Sequence, residues 1–580
     1  MQPLAGERFY VRLVAEAGDL SRVICRFADK YEEGHERDLA LTREATDGVR
    51  DYWTGVLPVP TSRLRYFFHL TGADGSMTFL SEHGFTPAPP PRRFHAGYFF
   101  YPYDLPADRF ALPSWVSSAG TTFYLIFPDR FANGDPSNDP PSSRPWGERP
   151  TTRSFFGGDL AGIRQRLAWP RDLGVGCLYL TPVFTAPSNH KYDPADYERV
   201  DPHFGTKEDL AALVRDAHGA GMRVMLDGVF NHAGDEWSAF RDVREKGAGS
   251  AYRDWFFRID AFPVDSENVN YETFANRIRN HPKLNTANPE LREYLAGIGE
   301  RWIRETDIDG WRLDVANEVD HRFWRAFRDR VKAAKPDAFI VGEVWHDAIR
   351  WLDGAQFDSV MHYPWRDAVL QYLNRGVSPA RFAGWTTQLR HMYEPAVEPG
   401  LMHLLGSHDT MRIRTELGGS ADRALQAAVL LLTASGAPLV YYGDEIGMEG
   451  GDDPDCRRCM EWVETRQDRR ILHAYRTLIG LRRARPWLAW GAFEDLVTDD
   501  AREIYAYRRV DRGPLASNGA SGDAVYVALN TGDASAEIRV LADGAALHDV
   551  LSSEGVAIDR GEARITLPAG GAAVLVPEPR

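Results

Sequence analysis

The stretch GWRLDVANE, Gly310 to Glu318, decides how this chain is read. Its first residues have the look of a short buried strand. Arg312 and Asp314 stand two apart, so on a strand they face the same side. A guanidinium and a carboxylate together at the end of a buried strand make either a structural salt bridge or part of an active site.

Seven further runs resemble this one: FYLIFPDRF from Phe123, CLYLTPVF from Cys177, RVMLDGVFNH from Arg223, FIVGEVWH from Phe339, SVMHYPW from Ser359, MHLLGSHDT from Met402 and PLVYYGDEIG from Pro438. Helical patterns lie between them. In PELREYLAGIGERWIRE, Leu291, Leu295, Ile298 and Trp302 share one helix face. KEDLAALVRDAHGAG ends on Gly219 and Gly221, which suit a helix stop. Eight buried strands alternating with helices predict an α/β fold, a (β/α)8 TIM barrel, with a doubly wound open sheet as the rival. Polar groups gather at the C-terminal ends of the runs, where barrels build active sites, and this favours the barrel.

The flanks read differently. RFYVRLVAEA, SRVICRFADK and RLRYFFHLTG predict an N-terminal β-sandwich module over residues 1–115, with a Pro-rich connector after its strands at Thr86–Phe94. The barrel is expected over 116–492, with a subdomain inserted after its third strand at about 233–285. EIYAYRRV, DAVYVALN, ARITLP and GAAVLVP predict a C-terminal β-sandwich over 493–580, with a loop at Pro514–Asp523. A length of 580 residues is more than one hydrophobic core supports.

The net charge of −15 argues against a nucleic-acid partner. No run is long and apolar enough for a membrane span, and the opening MQPLAGERFYVRLVAEAG lacks the pattern of a secretory signal. Four cysteines, Cys25, Cys177, Cys456 and Cys459, make no disulfide framework, and a cytoplasmic location is expected. Cys456 and Cys459 form a CxxC without the second pair that zinc needs or a thioredoxin-like setting, and read as free thiols. Aromatic residues make up 12% of the chain, and those lining a cleft would suit the C–H faces of sugar rings.

The acids at strand ends are Asp227, Asp314, Glu343 and Asp409. Taken singly, each reads as well as an ion pair or a helix cap. Converging at one barrel rim, they offer the two carboxyl groups that acetal hydrolysis with retention requires, one nucleophile and one proton donor.

Taken in order, DGVFNH, GWRLDVANE, GEVW and GSHD resemble the four signature regions of the α-amylase family of glycoside hydrolases, and GCLYLTPVF, HPKLN and GDEIGMEGG fit three more. VANE, HPKLN, SNHKYDPADY and DDPDCRR are similar to the subgroup of cyclomaltodextrinases, neopullulanases and maltogenic amylases. The resemblance implies Asp314 as nucleophile, Glu343 as acid/base and Asp409 as the residue that binds hydroxyls of the sugar at the cleavage point. It implies that Arg312 orients Asp314, that His232 and His408 bond the same sugar, and that Tyr192 lies beneath it. Asp453 and Arg457 would contact sugar on the non-reducing side; a surface ion pair in a loop is the bland alternative. Val315, Ala316, Asn317 and Glu318 would border the leaving sugar, with Trp345 as a stacking platform. Asp227 and Asn231 would brace the site from below.

NGDPSND, Asn133 to Asp139, reads from its residues as an Asx-rich turn or a Ca2+ site. The resemblance implies structural Ca2+ held by Asn133, Asp135, Asn138, Asp139, the Gly157 carbonyl and Asp159. It also implies a homodimer through the N-terminal module and activity on α-glucans: cyclodextrins, maltooligosaccharides or pullulan. His281 and Met411 depart from the family pattern and would alter subsite shape. A glucanotransferase or isomerase on the same fold is the first alternative; a non-catalytic glucan-binding protein is the second, against which all three catalytic acids are present.

Overall fold

The structure, a computed structural model, describes residues 2–4, 8–31, 34–58, 63–91, 97–101, 110–118, 120–276, 278–512 and 523–578. The connector expected at Thr86–Phe94 and the loop expected at Pro514–Asp523 fall partly outside them.

The eight apolar runs form eight parallel strands: β1 (Phe123–Ile126), β2 (Cys177–Leu180), β3 (Arg223–Gly228), β4 (Gly310–Leu313), β5 (Phe339–Gly342), β6 (Ser359–Val360), β7 (Met402–Leu404) and β8 (Ala437–Tyr441). They pair in the order β6-β5-β4-β3-β2-β1-β8-β7. A parallel bridge between Met361, just past β6, and Met402 of β7 joins the two ends. The sheet is therefore a closed barrel and not a doubly wound sheet. Its strands are buried on both faces, which is why they read as continuous apolar runs.

Register brings the polar ends together. Asp227 of β3 lies across from Arg312 of β4, and Arg312 across from Val341 of β5. Gly310 permits this packing, because a Cβ there would fall 2.2 Å from the Phe339 carbonyl oxygen. The helix Pro289–Thr306 delivers the chain to β4. Asn288 caps it through the amides of Glu290 and Leu291, and it buries Leu291, Leu295, Ile298 and Trp302 against the barrel. The helix Lys207–Gly219 precedes β3 in the same way, with Gly221 at φ 78° completing the turn. Between β3 and that first helix lies a long excursion holding the helix Ser238–Lys246, and bridges from His232 to Lys283 and from Thr273 to Pro282 fold it back over the rim.

The N-terminal strands form a nine-stranded antiparallel sheet with its own core of Phe9, Val11, Val23, Cys25, Trp53 and Phe68. It docks on the barrel where Tyr52 stacks on His391 with centroids 4.2 Å apart and Arg12 donates to the Tyr393 carbonyl. The C-terminal strands form an eight-stranded antiparallel sheet. Its Arg509 donates to the carbonyls of Thr433, Leu488 and Gly491 at 2.6, 2.9 and 2.8 Å. Burial lowers its pKa to about 10. No helix among the described residues is long and apolar enough to cross a membrane.

Candidate active site

The loops after the strands enclose a cleft of 790 Å³ at the C-terminal rim, lined by Tyr192, His232, Asp314, Glu318, Glu343, Trp345, Asp409, Asp453 and Arg457 among others. At its floor lies Arg312, fully buried. Its Nη1 donates to both oxygens of Asp227 and to Asp314 Oδ1, each at 2.9 Å, and its Nη2 lies 2.8 Å from Glu343 Oε1. The pairing expected between Arg312 and Asp314 is thus one third of the arrangement. One guanidinium serves three carboxyl groups.

That ratio governs the electrostatics. Three ionised carboxylates on one cation would leave a buried excess of negative charge. Burial raises Asp314 well above the usual carboxylate range; Arg312 opposes the shift, and Glu343, Asp227 and Asp409 reinforce it. Burial likewise pushes Asp227 up to about 6, against the pull of Arg312 and the hydroxyls of Tyr179 and Tyr192. Asp314 and Asp227 therefore titrate together, and their burial favours a retained proton.

Asp227 braces the site, as expected. It accepts from Tyr179 at 2.6 Å and from Tyr192 at 2.8 Å. The Tyr192 hydroxyl also meets His408 Nε2 at 2.6 Å, and the two rings stack at 5.2 Å with 9° between their planes. His408 Nε2 lies 3.2 Å from Asp409 Oδ2. Burial, with Arg457 and Arg312 nearby, lowers the His408 pKa well below its ordinary value, so the ring is neutral at pH 7 and bonds as donor or acceptor. His232 is lowered in the same way, chiefly by burial, and its Nε2 contacts the Tyr192 carbonyl oxygen at 2.9 Å.

Arg457 does more than pair in a loop. It lies 3.2 Å from Asp453 and donates to Asp409 at 3.2 Å and to the His408 carbonyl at 2.7 Å. It thereby ties the loop after β8 to the loop after β7. Cys456 beside it donates to the same carbonyl, and all four cysteines are buried free thiols.

Glu343 is held from three sides. Besides Arg312, its Oε1 accepts from Trp345 Nε1 at 3.1 Å and its Oε2 from the Val315 amide at 2.9 Å. Trp345 is 47% exposed and stacks on Tyr363 at 3.7 Å, leaving its other face to the cleft. The Glu318 carboxylate lies at the cleft edge but is engaged by Lys283.

Sequence reasoning missed part of the lining: Arg130, Asn189, His190, Phe274 and Ile278 also face the cleft. Arg130 stands in the first apolar run, so its place at a strand end was the available signal. Phe274 and Ile278 lie in the excursion, where no periodicity marks a site. His281 joins His232 with centroids 4.8 Å apart, and burial lowers its pKa to about 4. The departure at this position thus falls on the cleft itself.

The expected calcium ligands lie together beside the loop after β1. Asp139 accepts from Asn133 Nδ2 at 2.8 Å, and Asp159 accepts from Asn138 at 3.0 Å and from the Gly134 and Asp135 amides. A Cβ on Gly157 would fall 2.2 Å from Asp139 Oδ1, so only glycine brings its backbone this close. The amide oxygens of Asn133 and Asn138 are buried without a partner, which fits a hard cation. Asp135 Oδ1 accepts from the Ser137 amide and hydroxyl. Among the described residues no three His, Cys, Asp or Glu side chains converge as a metal centre.

Comparison with known proteins agrees with this geometry. Residues 125–492 match the family described as alpha amylase, catalytic domain, and residues 1–104 match the alpha amylase N-terminal ig-like domain. A cyclomaltodextrinase of Geobacillus thermopakistaniensis (strain MAS1) is 44% identical over 97% of this chain and 95% of its own length. Neopullulanase 2 of Thermoactinomyces vulgaris is 46% identical over 87% of this chain and 86% of its own. The solved structure of a cyclomaltodextrinase superposes with a TM-score of 0.91 at 37% identity, covering 99% of this chain and 97% of the other. The closed barrel, the carboxyl trio at its rim and these likenesses place the chain in the α-amylase family of glycoside hydrolases, beside the cyclomaltodextrinases, neopullulanases and maltogenic amylases.

Proposed function

We propose that the protein hydrolyses α-1,4-glucosidic bonds, and α-1,6 bonds in some substrates, of cyclodextrins, maltooligosaccharides or pullulan, with retention of configuration. The observation that carries this reading is the sharing of one guanidinium by Asp314 and Glu343. That contact supports the short spacing of retaining enzymes, about 5–5.5 Å, over the about 6.5–9.5 Å that leaves room for water in inverting ones.

In this reading Asp314 attacks the anomeric carbon while Glu343 gives its proton to the departing glycosidic oxygen. The new ester neutralises the Asp314 charge, and the Glu343 carboxylate then takes a proton from water as that water attacks the anomeric carbon and frees Asp314. Asp409, His408, Arg457 and Tyr192 grip the sugar that reacts. Trp345 offers a face to the leaving sugar. A second sugar resting there in place of water gives transglycosylation as a side reaction.

Calcium is assigned to Asn133, Asp135, Asn138, Asp139, Asp159 and the Gly157 carbonyl. The ion would pin the loop after β1 and supply no chemistry. A homodimer is assigned to the N-terminal module, whose outward Phe85, Met77 and Val49 are more than half exposed. A cytoplasmic location suits four reduced thiols.

The deciding experiment compares β-cyclodextrin, pullulan and soluble starch side by side with product analysis. Cyclodextrin opening and panose from pullulan are expected. A preference of about tenfold for starch over cyclodextrin overturns the substrate assignment, because about 1.4 kcal/mol of transition-state binding would then favour the open polymer. A monomer in sedimentation at micromolar concentration overturns the dimer.

A further inference from the structure

Lys283 has no place in the chemistry above, yet it sits at a junction. Its Nζ donates to Glu318 Oε2 at 2.8 Å, to the Glu318 carbonyl at 3.2 Å and to Asn231 Oδ1. The side chain is 13% exposed. Its backbone is bridged to His232, and its amide donates to the Glu272 carbonyl at 2.9 Å. One ammonium therefore joins the loop after β3, the excursion over the rim and the loop after β4.

The last of these loops leads to Glu343. The Glu318 amide donates to the Val315 carbonyl at 3.1 Å, the Val315 amide donates to Glu343 Oε2 at 2.9 Å, and the Ala316 amide donates to the Glu343 carbonyl at 3.1 Å. Val315 adopts φ 44° and ψ 44°. For a β-branched residue this left-handed conformation costs about 1–3 kcal/mol and persists only when its surroundings fix it. The contacts that hold the residues after it are Trp324 Nε1 on the Ala316 carbonyl at 2.9 Å and Lys283 on Glu318.

We propose that Lys283 is a positioning residue for the acid/base. Its ammonium clamps Glu318, the clamp holds Val315 in its strained turn, and the Val315 amide fixes the Glu343 carboxyl for proton transfer to the leaving oxygen. The proposal rests on the assignment of Glu343 as acid/base.

Two substrates separate this role from a merely structural one. A maltooligosaccharide needs a proton on its leaving sugar. α-Maltosyl fluoride does not, because fluoride departs without strong acid assistance. Lys283→Met should lower kcat/KM on the maltooligosaccharide about 10- to 100-fold and on the fluoride less than about threefold, with Lys283→Arg recovering most of the loss. Equal losses on both substrates, or none on either, overturn the proposal. If Lys283→Met does not fold, Glu318→Gln decides: it leaves Lys283 in place, and the same selective loss is expected in smaller measure. Glu343→Gln run on the same pair keeps the two readings apart. If it spares the maltooligosaccharide, the acid/base assignment fails. If it shows the selective loss while the Lys283 and Glu318 variants do not, only the role of Lys283 fails.

Discussion

Replacing Arg312 with Met tests the electrostatic core of the site. The guanidinium lies 2.9 Å from Asp314 Oδ1, with both groups buried. At an effective dielectric of about 20, that distance corresponds to about 6 kcal/mol, or about four pH units of proton affinity. Burial and three neighbouring carboxyl groups already push Asp314 upward, and Arg312 opposes them. Without it, the protonated form of Asp314 is favoured further and the ionised nucleophile is populated less. Turnover should fall on the order of 10³-fold at pH 7. The deficit should narrow as pH rises, by up to about tenfold per unit while the fold persists, because ionised Asp314 reappears. Arg312→Lys should fall between, since an ammonium cannot reach all three carboxyl groups as the planar fork does. The assay is release of reducing ends from a maltooligosaccharide between about pH 5 and about pH 9, with circular dichroism confirming the fold. Turnover of Arg312→Met within about tenfold of the parent at pH 7 would refute the reasoning, since the guanidinium would then not govern the nucleophile's charge.

Other outcomes follow from the same contacts. Tyr192→Phe keeps the ring against His408 but removes a hydroxyl shared with Asp227, so kcat should drop about 10- to 100-fold with melting nearly unchanged; a normal kcat would show that the hydroxyl does not matter. His281 has a folded pKa of about 4, so the unfolded chain binds more protons below about pH 6.5 and stability is lost as pH falls. His281→Met should therefore lose about 2 kcal/mol less than the parent between pH 7 and pH 5, measured by urea unfolding at both; equal losses would contradict this. Chelation of calcium should lower the melting temperature by about 5 °C and leave the initial rate at 25 °C intact, whereas coincident melting curves would remove the ion from the account.

The barrel was legible because its strands are buried on both faces. A strand such as CLYL at Cys177–Leu180 has no polar side to confuse the pattern, and the polar residues of each run collect at one end. Arg312 and Asp314 were legible for the same reason: two residues apart, they had to meet. What local sequence could not supply was number. That Arg312 also reaches Asp227 and Glu343 depends on register between β3, β4 and β5, which a linear reading does not contain. An Asx-rich run such as Asn133–Asp139 reads equally as a turn or a cation site, and Asp135 Oδ1 accepting from Ser137 shows the turn in it. Phe274 was hidden in the excursion after β3, where bridges between distant residues, not periodicity, set the path; Lys283 lies within HPKLN, but nothing local showed that it reaches Glu318.

The guanidinium of Arg509 also bears on how freely this molecule can be shortened. It comes from the C-terminal sheet and is spent on carbonyls at the base of the barrel and the segment leading out of it, those of Thr433, Leu488 and Gly491. Gln426 reaches the other way, from a barrel helix to the Asn530 and Gly571 carbonyls. Cutting the chain before Ala492 would remove these hydrogen bonds and expose to water the barrel surface packed against Tyr505, Tyr507, Val525, Val527 and Leu529, a loss comparable with the margin by which domains stay folded. The last domain is thus a stopper without which the vessel does not hold. Chimeras that exchange it should succeed only where the incoming domain brings an arginine to the same place.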